Sequence, residues 1–236
     1  MKELKLKNRV LEYLGKAYPE HNFKMQNLKT LNIGQYANAY VCNYIDEKFS
    51  LTIKDFYHCP SFVKYSYGII MARRELKALK KLSEIEGIAK PCKMLSPFCV
   101  CFSFIKGESL ASYRKKGKFL PVSYFIELEK LIDNMHNEGI LHLDLRNLGN
   151  ILVGDDYKPY IIDFQSYVNR KFIPKFLSKL CMQGDKSGAL KAWKFICSEP
   201  LNKERLAYIN EANKIRKIWI FRGYPIKRLI VRLKTA

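Results

Sequence analysis

The stretch from His142 to Gln165, HLDLRNLGNILVGDDYKPYIIDFQ, constrains this chain more than any other, because it sets polar clusters at the two ends of a short apolar hairpin. Before it, Tyr124, Leu128, Leu131, Ile132 and Met135 recur at spacings of four, three, one and three, the apolar stripe of a helix. Pro121 near the start of that run and Gly139 just past its end suit helix termini. A buried helix therefore delivers the chain into a polar loop, residues 142–150. Ile151-Leu152-Val153, a turn at Gly154-Asp155-Asp156, and Tyr160-Ile161-Ile162 then predict two short strands ending on Asp163. Two carboxylates and an amide, Asp144, Asp163 and Asn150, are expected to meet at one end of this scaffold.

Such a group suits phosphoryl transfer, where a protein mainly positions the reactants and neutralises phosphate charge with metal ions and cations. Asp144 is placed to orient an attacking hydroxyl. Asp163 and Asn150 are hard oxygen ligands of the kind Mg²⁺ takes when it also holds substrate phosphates. Arg146, two residues after Asp144, points the same way in an extended loop and is expected to reach a γ-phosphate. The stretch resembles the protein-kinase catalytic loop H-x-D-x-x-x-x-N followed by a D-F-G metal motif. On that resemblance His142, Asp144 and Arg146 are catalytic candidates, and Asn150 and Asp163 are metal candidates. The asparagine stands six residues after Asp144 where the common pattern has five, which leaves Gly149 at the expected place. Gln165 takes the third position of D-F-G.

At 236 residues the chain can form one large domain or two small lobes around a cleft. A hydrophobic content of 48% and an aromatic content of 13% argue for a packed core and against disorder. No apolar run approaches the ~20 residues that span a bilayer, and MKELKLKNRV lacks the apolar run of a signal peptide. A cytoplasmic location is expected. Seven cysteines, odd in number and without a C-x-x-C pair, suggest neither a disulfide framework nor a zinc ribbon. They read as small buried hydrophobes. The balance of 42 basic to 22 acidic residues gives a net charge of +20. Such a field attracts nucleic acid, anionic lipid headgroups or a phosphorylated substrate, and charge alone does not choose among them.

Toward the N-terminus, Leu4, Leu6, Val10, Leu11 and Leu14 predict an amphipathic helix ahead of Gly15. LNIGQYANAYVCNYI and KFSLTIKDF follow as strands about an Asp46-Glu47 turn. Gly34-Gln35-Tyr36-Ala37-Asn38-Ala39 occupies the place of the kinase glycine-rich loop, with one glycine kept and small Ala37 and Ala39 permitting close backbone approach. Lys54 follows Leu51-Thr52-Ile53 as the lysine of V-A-I-K does, implying a contact to the α and β phosphates. A strand-end lysine is usually solvated. Here, however, the helical stretch 69–83 places Glu75 on a face with Leu79 and Leu82, turned inward, which makes Lys54–Glu75 a candidate ion pair. Val100, Phe102 and Phe104 form a largely buried strand that ends at Lys106-Gly107-Glu108, a fit for a hinge whose backbone groups could bind adenine.

The expected fold class is α+β: a two-lobed kinase-like arrangement with a small β-rich lobe over 1–106 and a reduced, mainly helical lobe over 107–236. After Gln165 there is no A-P-E motif and no long activation segment. Residues 190–196 and 200–218 are among the 71 that remain for the rest of the large lobe. The terminal WIFRGYPIKRLIVRLKTA mixes aromatic and basic residues, as an interfacial segment does. A packed C-terminal helix with a solvated basic face fits that stretch equally well.

TIKDF, the run from Pro60 to Leu76, HLDLR and IIDFQ together resemble the small bacterial kinases of the lipopolysaccharide kinase and RIO families, over roughly residues 30–168. The resemblance implies ATP with Mg²⁺ or Mn²⁺, and Lys54, Glu75, Gly34 and Ala37 on the nucleotide. It also implies Asp144 for the acceptor hydroxyl, with Asn150 and Asp163 for metal. The acceptor implied by the lipopolysaccharide group is a sugar hydroxyl of a membrane glycolipid, approached from the cytoplasmic face of the inner membrane by a peripheral enzyme. A RIO-like serine/threonine kinase, an aminoglycoside-type small-molecule kinase and a non-catalytic basic pseudokinase are the alternatives. Nucleic acid is not the expected partner.

Overall fold

A computed structural model describes residues 2–34 and 38–218 of the chain. Helix α1 (Lys2–Ala17) runs through Gly15, and Leu6, Val10 and Leu14, at intervals of four, enter the core from one face. Leu4 stays exposed. The helix covers one side of a five-stranded antiparallel sheet. Its strands are β1 (Leu28–Asn32), β2 (Tyr40–Ile45), β3 (Ser50–Asp55), β4 (Pro91–Ser96) and β5 (Cys99–Ser103), in the order β1-β2-β3-β5-β4. The two-residue period of a strand sorts the sheet's side chains. Cys42, Tyr44, Leu51, Ile53, Cys99 and Cys101 pack with α1, whereas Val100 and Phe102 join the core on the other side.

The helical run after β3 begins earlier than the apolar pattern over 69–83 predicts. It starts with α2 (Ser61–Val63), passes through a π turn at Lys64–Gly68 and continues as α3 (Ile69–Lys81). Its first part carries exposed Phe62, Tyr65 and Tyr67 and so shows no apolar stripe to read. Gly68 is required where the run crosses β3's end, since a Cβ there would sit 2.9 Å from Phe56 Cβ.

Beyond β5 come β6 (Gly107–Ser109), α4 (Leu110–Lys115), α5 (Val122–Asn137), β7 (Ile140–Leu141), β8 (Ile151–Gly154), β9 (Pro159–Ile161), β10 (Val168–Asn169), α6 (Lys175–Ile196) and α7 (Lys203–Ile218). The predicted hairpin is β8–β9, and β6 adds a third strand to it by pairing Glu108 with Val153. The buried residues of α5 include Tyr124, Leu128, Leu131, Ile132 and Met135, the stripe that predicts the helix. One hydrophobic cluster runs from Val100 and Phe102 through Leu128 and Ile161 to Trp193, crossing position 106 without a break. All seven cysteines are unpaired; five are buried, and Cys92 and Cys181 are partly so. Among the described residues no helix is long and apolar enough to cross a membrane. Ala37 and the basic-aromatic segment from Trp219 onward lie outside the described residues.

The turn between β2 and β3 is tied down by Asp46. Its carboxylate accepts from Tyr44 Oη at 2.7 Å, from the amides of Phe49 and Lys48 at 2.7 and 2.9 Å, and pairs with His21 Nε2 at 2.7 Å. Partial burial alone would raise the Asp46 pKa, but these partners, Tyr44 and the Phe49 amide foremost, bring it down to about 2. A depressed carboxyl pKa contributes stability that is present above the unfolded value of 3.8 and lost as pH falls towards about 2. The stability advantage of wild type over Asp46→Asn, followed by thermal melting, should therefore shrink steadily across that acid window and be constant above it.

Candidate active site

Lys54 lies near the end of β3 with its side chain on the sheet face opposite α1, where α3 and the segment after β9 close over it. Its Nζ donates to Glu75 Oε1 at 2.7 Å and to Asp163 Oδ1 at 2.9 Å. Burial opposes a charged ammonium, yet the fields of Asp163 and Glu75 outweigh it and hold the Lys54 pKa above its ordinary value. The two carboxylates shift in opposite directions. Glu75 is enclosed, and desolvation raises its pKa despite Lys54. Asp163 also meets a desolvation cost, but 39% of its side chain is open and Lys54 takes its pKa down, so it stays an anion partly open to solvent.

Asp163 has φ 69°, left-handed backbone that a non-glycine residue rarely adopts, and it turns the chain from β9 into a short helical turn, Phe164–Ser166. Phe164 is fully buried, its ring 4.9 Å from that of His142. Gln165, at the position where kinases carry glycine, donates from Nε2 to Glu75 Oε2 at 3.3 Å. Arg74 on α3 donates from Nε to the Gln165 carbonyl at 3.2 Å and from Nη2 to that of Tyr167. Helix α3 and the Asp163 segment are therefore stitched together by residues on both sides of the ion pair.

The loop after β7 holds Asp144. Asn150 Nδ2 donates to Asp144 Oδ2 at 3.0 Å and to the Asp144 carbonyl at 3.1 Å, so the asparagine at spacing six reaches the aspartate. The extra residue is taken up by a 3₁₀ turn, Leu148–Asn150, capped by Asn147 through the Gly149 amide at 3.1 Å. Ile162 N donates to the Asn150 carbonyl at 3.0 Å, which sets residue 150 beside the strand end that carries Asp163.

Two candidates stand elsewhere than the spacing predicts. Arg146 packs against the helices behind the loop: its guanidinium donates to Ser187 Oγ on α6 at 2.7 Å and to Asn213 Oδ1 on α7 at 3.1 Å. The two-residue period that suggests a shared direction with Asp144 belongs to extended chain, and a turn closed by Asn147 N donating to the Asp144 carbonyl at 3.2 Å ends it. His142 is wholly buried and acts as a brace. Its Nδ1 accepts from the Asp144 amide at 3.3 Å, which leaves Nε2–H to donate to the Ile162 carbonyl at 3.0 Å.

Asp185 carries no sequence signal, yet it organises this loop. On α6, and 1% exposed, it accepts from the amides of His142 and Leu143 at 2.8 Å each and pairs with His136 Nε2 at 3.1 Å. Leu143 has φ 70°, so the carboxylate holds the backbone in a strained turn just before Asp144. In the strand-connecting loop Gly34 has φ 71°, and its amide bonds Asn32 Oδ1 at 2.9 Å. A Cβ there would overlap the carbonyls of Asn38 and Ala39, so glycine is required.

The RIO domain family model matches residues 28–180, well over half of the chain. The chain belongs to the RIO domain family. No curated protein matches it. The RIO domain is kinase-like, and its members are atypical kinases that use ATP and a divalent metal ion. The donor set of this RIO domain fits such an ion. Asp163 and Asn150 would offer it a carboxylate and an amide oxygen; among the described residues no group of three or more His, Cys, Asp or Glu gathers. That is the mode of Mg²⁺, which keeps few protein ligands.

Two consequences are measurable. Gln165→Leu strips the second oxygen of buried Glu75 of its donor and should raise the KM for ATP several-fold, about 1 kcal/mol, with the fold intact by circular dichroism. Gly188 lets α6 lie against the Asp144 loop, where an added Cβ would meet Leu145 C and O at 2.6 Å and Arg146 N at 3.0 Å. Gly188→Ala should cost about 1–3 kcal/mol in denaturant unfolding and depress turnover with it.

Proposed function

We propose that this RIO domain protein is an ATP- and Mg²⁺-dependent phosphotransferase that transfers the γ-phosphoryl group to an alcohol, and that residues 1–106 and 107–236 act as lobes about the nucleotide cleft. The observation that carries the reading is the single charge network in which Lys54 meets both Glu75 and Asp163. In a kinase-like site Lys54 holds the α and β phosphates, and Glu75 keeps it aimed. Asp163 and Asn150 would hold the divalent ion, which supplies charge neutralisation on the phosphates. Asp144, positioned by Asn150, would accept the hydrogen bond of the acceptor hydroxyl and orient its oxygen in line. Of the expected hinge Lys106-Gly107-Glu108, Gly107 and Glu108 are paired with β8, so the backbone groups that would face adenine are those of the preceding Phe104 to Lys106, between β5 and β6.

For the acceptor we favour a sugar hydroxyl on a lipid-linked molecule. The support is the short path from Asp163 to α6, which begins at Lys175 and leaves little platform for an extended peptide. A RIO-like protein serine/threonine kinase is the second reading, favoured by the family match over residues 28–180.

Asp163→Ala should abolish Mg²⁺-dependent ATP binding by calorimetry, whereas Asp144→Ala should keep binding and lower kcat by at least about 10²-fold. Wild type without any nucleotide-dependent thermal shift under Mg²⁺ or Mn²⁺ would make the protein a pseudokinase. Mass spectrometry of envelope glycolipids with and without the gene separates the acceptors. Loss of one phosphate supports the sugar, and an unchanged lipid profile with altered phosphoproteins supports the protein kinase.

A further inference from the structure

The stretch 170–179, between β10 and the body of α6, sets two exposed phenylalanine rings among exposed cations. Phe172 is 79% exposed and Phe176 65% exposed, and Arg170, Lys171, Lys175 and Lys179 are exposed around them, with no acidic residue in the stretch. Leaving two phenylalanine rings in water is unfavourable for a chain that buries most of its large apolar side chains. A second basic strip adjoins it. A methyl group placed on Gly139 would touch Lys81 Nζ at 3.2 Å and Arg170 Cβ at 3.8 Å, so the C-terminal end of α3 meets the start of the stretch. On α3, Arg73, Lys77 and Lys80 are exposed at intervals of four and three, and the single acid in that part of the helix, Glu75, is buried against Lys54.

We propose that the 170–179 stretch docks the protein on an anionic lipid bilayer, with Phe172 and Phe176 entering the headgroup boundary and the flanking cations resting on lipid phosphates. Cations set among protruding aromatic rings are what a membrane interface takes up, each attracted to a different layer of it. The alternative polyanion, single-stranded nucleic acid, is bound by rings that line a basic groove and stack on bases. Among the described residues, rings as exposed as these are not enclosed by a groove. The proposal stands apart from the phosphotransfer reading, since it uses none of the residues of that site. Where both hold, an acceptor hydroxyl carried by a lipid would be met at the surface on which the protein sits. Because α3 also bears Glu75, docking there would load the helix that positions Lys54.

The test is co-sedimentation of the full chain with phosphatidylcholine vesicles containing or lacking phosphatidylglycerol. The proposal expects binding only with the anionic lipid, weakened by salt. It expects the partition coefficient to drop at least about tenfold in Phe172→Ser/Phe176→Ser and in Lys171→Glu/Lys175→Glu. Both double variants change exposed side chains, and unchanged melting curves will confirm that they fold. Wild-type binding that both variants keep would assign membrane attachment to another part of the chain and overturn the proposal. So would wild type that ignores anionic vesicles, or that binds single-stranded RNA with the same loss on Phe172→Ser/Phe176→Ser. ATP binding measured beside it reports on the phosphotransfer reading alone, so either reading can fail without the other.

Discussion

A lysine ammonium enclosed in a protein must be met by carboxylates, and the architecture around Lys54 follows from meeting it twice. An uncompensated buried charge costs several kcal/mol, and removing one partner of a buried pair typically costs about 3–5 kcal/mol. Strand β3 supplies the lysine, α3 supplies Glu75, and the end of β9 supplies Asp163. Three segments far apart in sequence are thereby obliged to converge. Glu75, fully enclosed, answers the charge from inside the core; Asp163, partly open, answers it from the solvent side.

The same division appears in the loop that carries Asp144. Its backbone is held from behind by Asp185, its first residue is braced by His142 against the Ile162 carbonyl, and Asn150 ties Asp144 from in front. Every group in this set except Asp144 is buried among protein groups, Asn150 included. Positioning chemistry of the phosphotransfer kind needs such a shell, because a displacement of an ångström at the reacting oxygen is enough to lose rate. The strain at Leu143, with φ 70°, persists because two amide hydrogen bonds to one buried carboxylate over-determine it.

How much of this is legible in the sequence depends on whether a feature has a local period. The stripe of α5 and the β8–β9 hairpin are local patterns that place those elements, and the motif positions single out Lys54, Glu75 and Asp163, which the structure brings together. Asp185 is 43 residues from His142 and sits in the weakly amphipathic α6, so no spacing marks it. Arg146 illustrates the opposite error, a local rule applied where the backbone leaves extended geometry. Helix α1 is plain as an amphipathic helix, but its place on the outer face of the sheet rests on tertiary contacts such as Arg9 Nε to Asp55 Oδ2 at 2.9 Å, which no pattern announces.

Gln165 shows why departures from a motif are worth building back into the structure. A glycine after Asp163-Phe164 would give the chain backbone freedom at the point where the metal segment leaves the core. The glutamine spends that freedom on a contact, filling the second oxygen of Glu75 while Arg74 holds its carbonyl. Phe164 is locked at the same time against the His142 ring. The path from Asp163 to α6 is too short to carry a long activation segment that could order and disorder around this point. Gln165 and Arg74 add to the contacts that hold the ion pair of Lys54 with Glu75 in place.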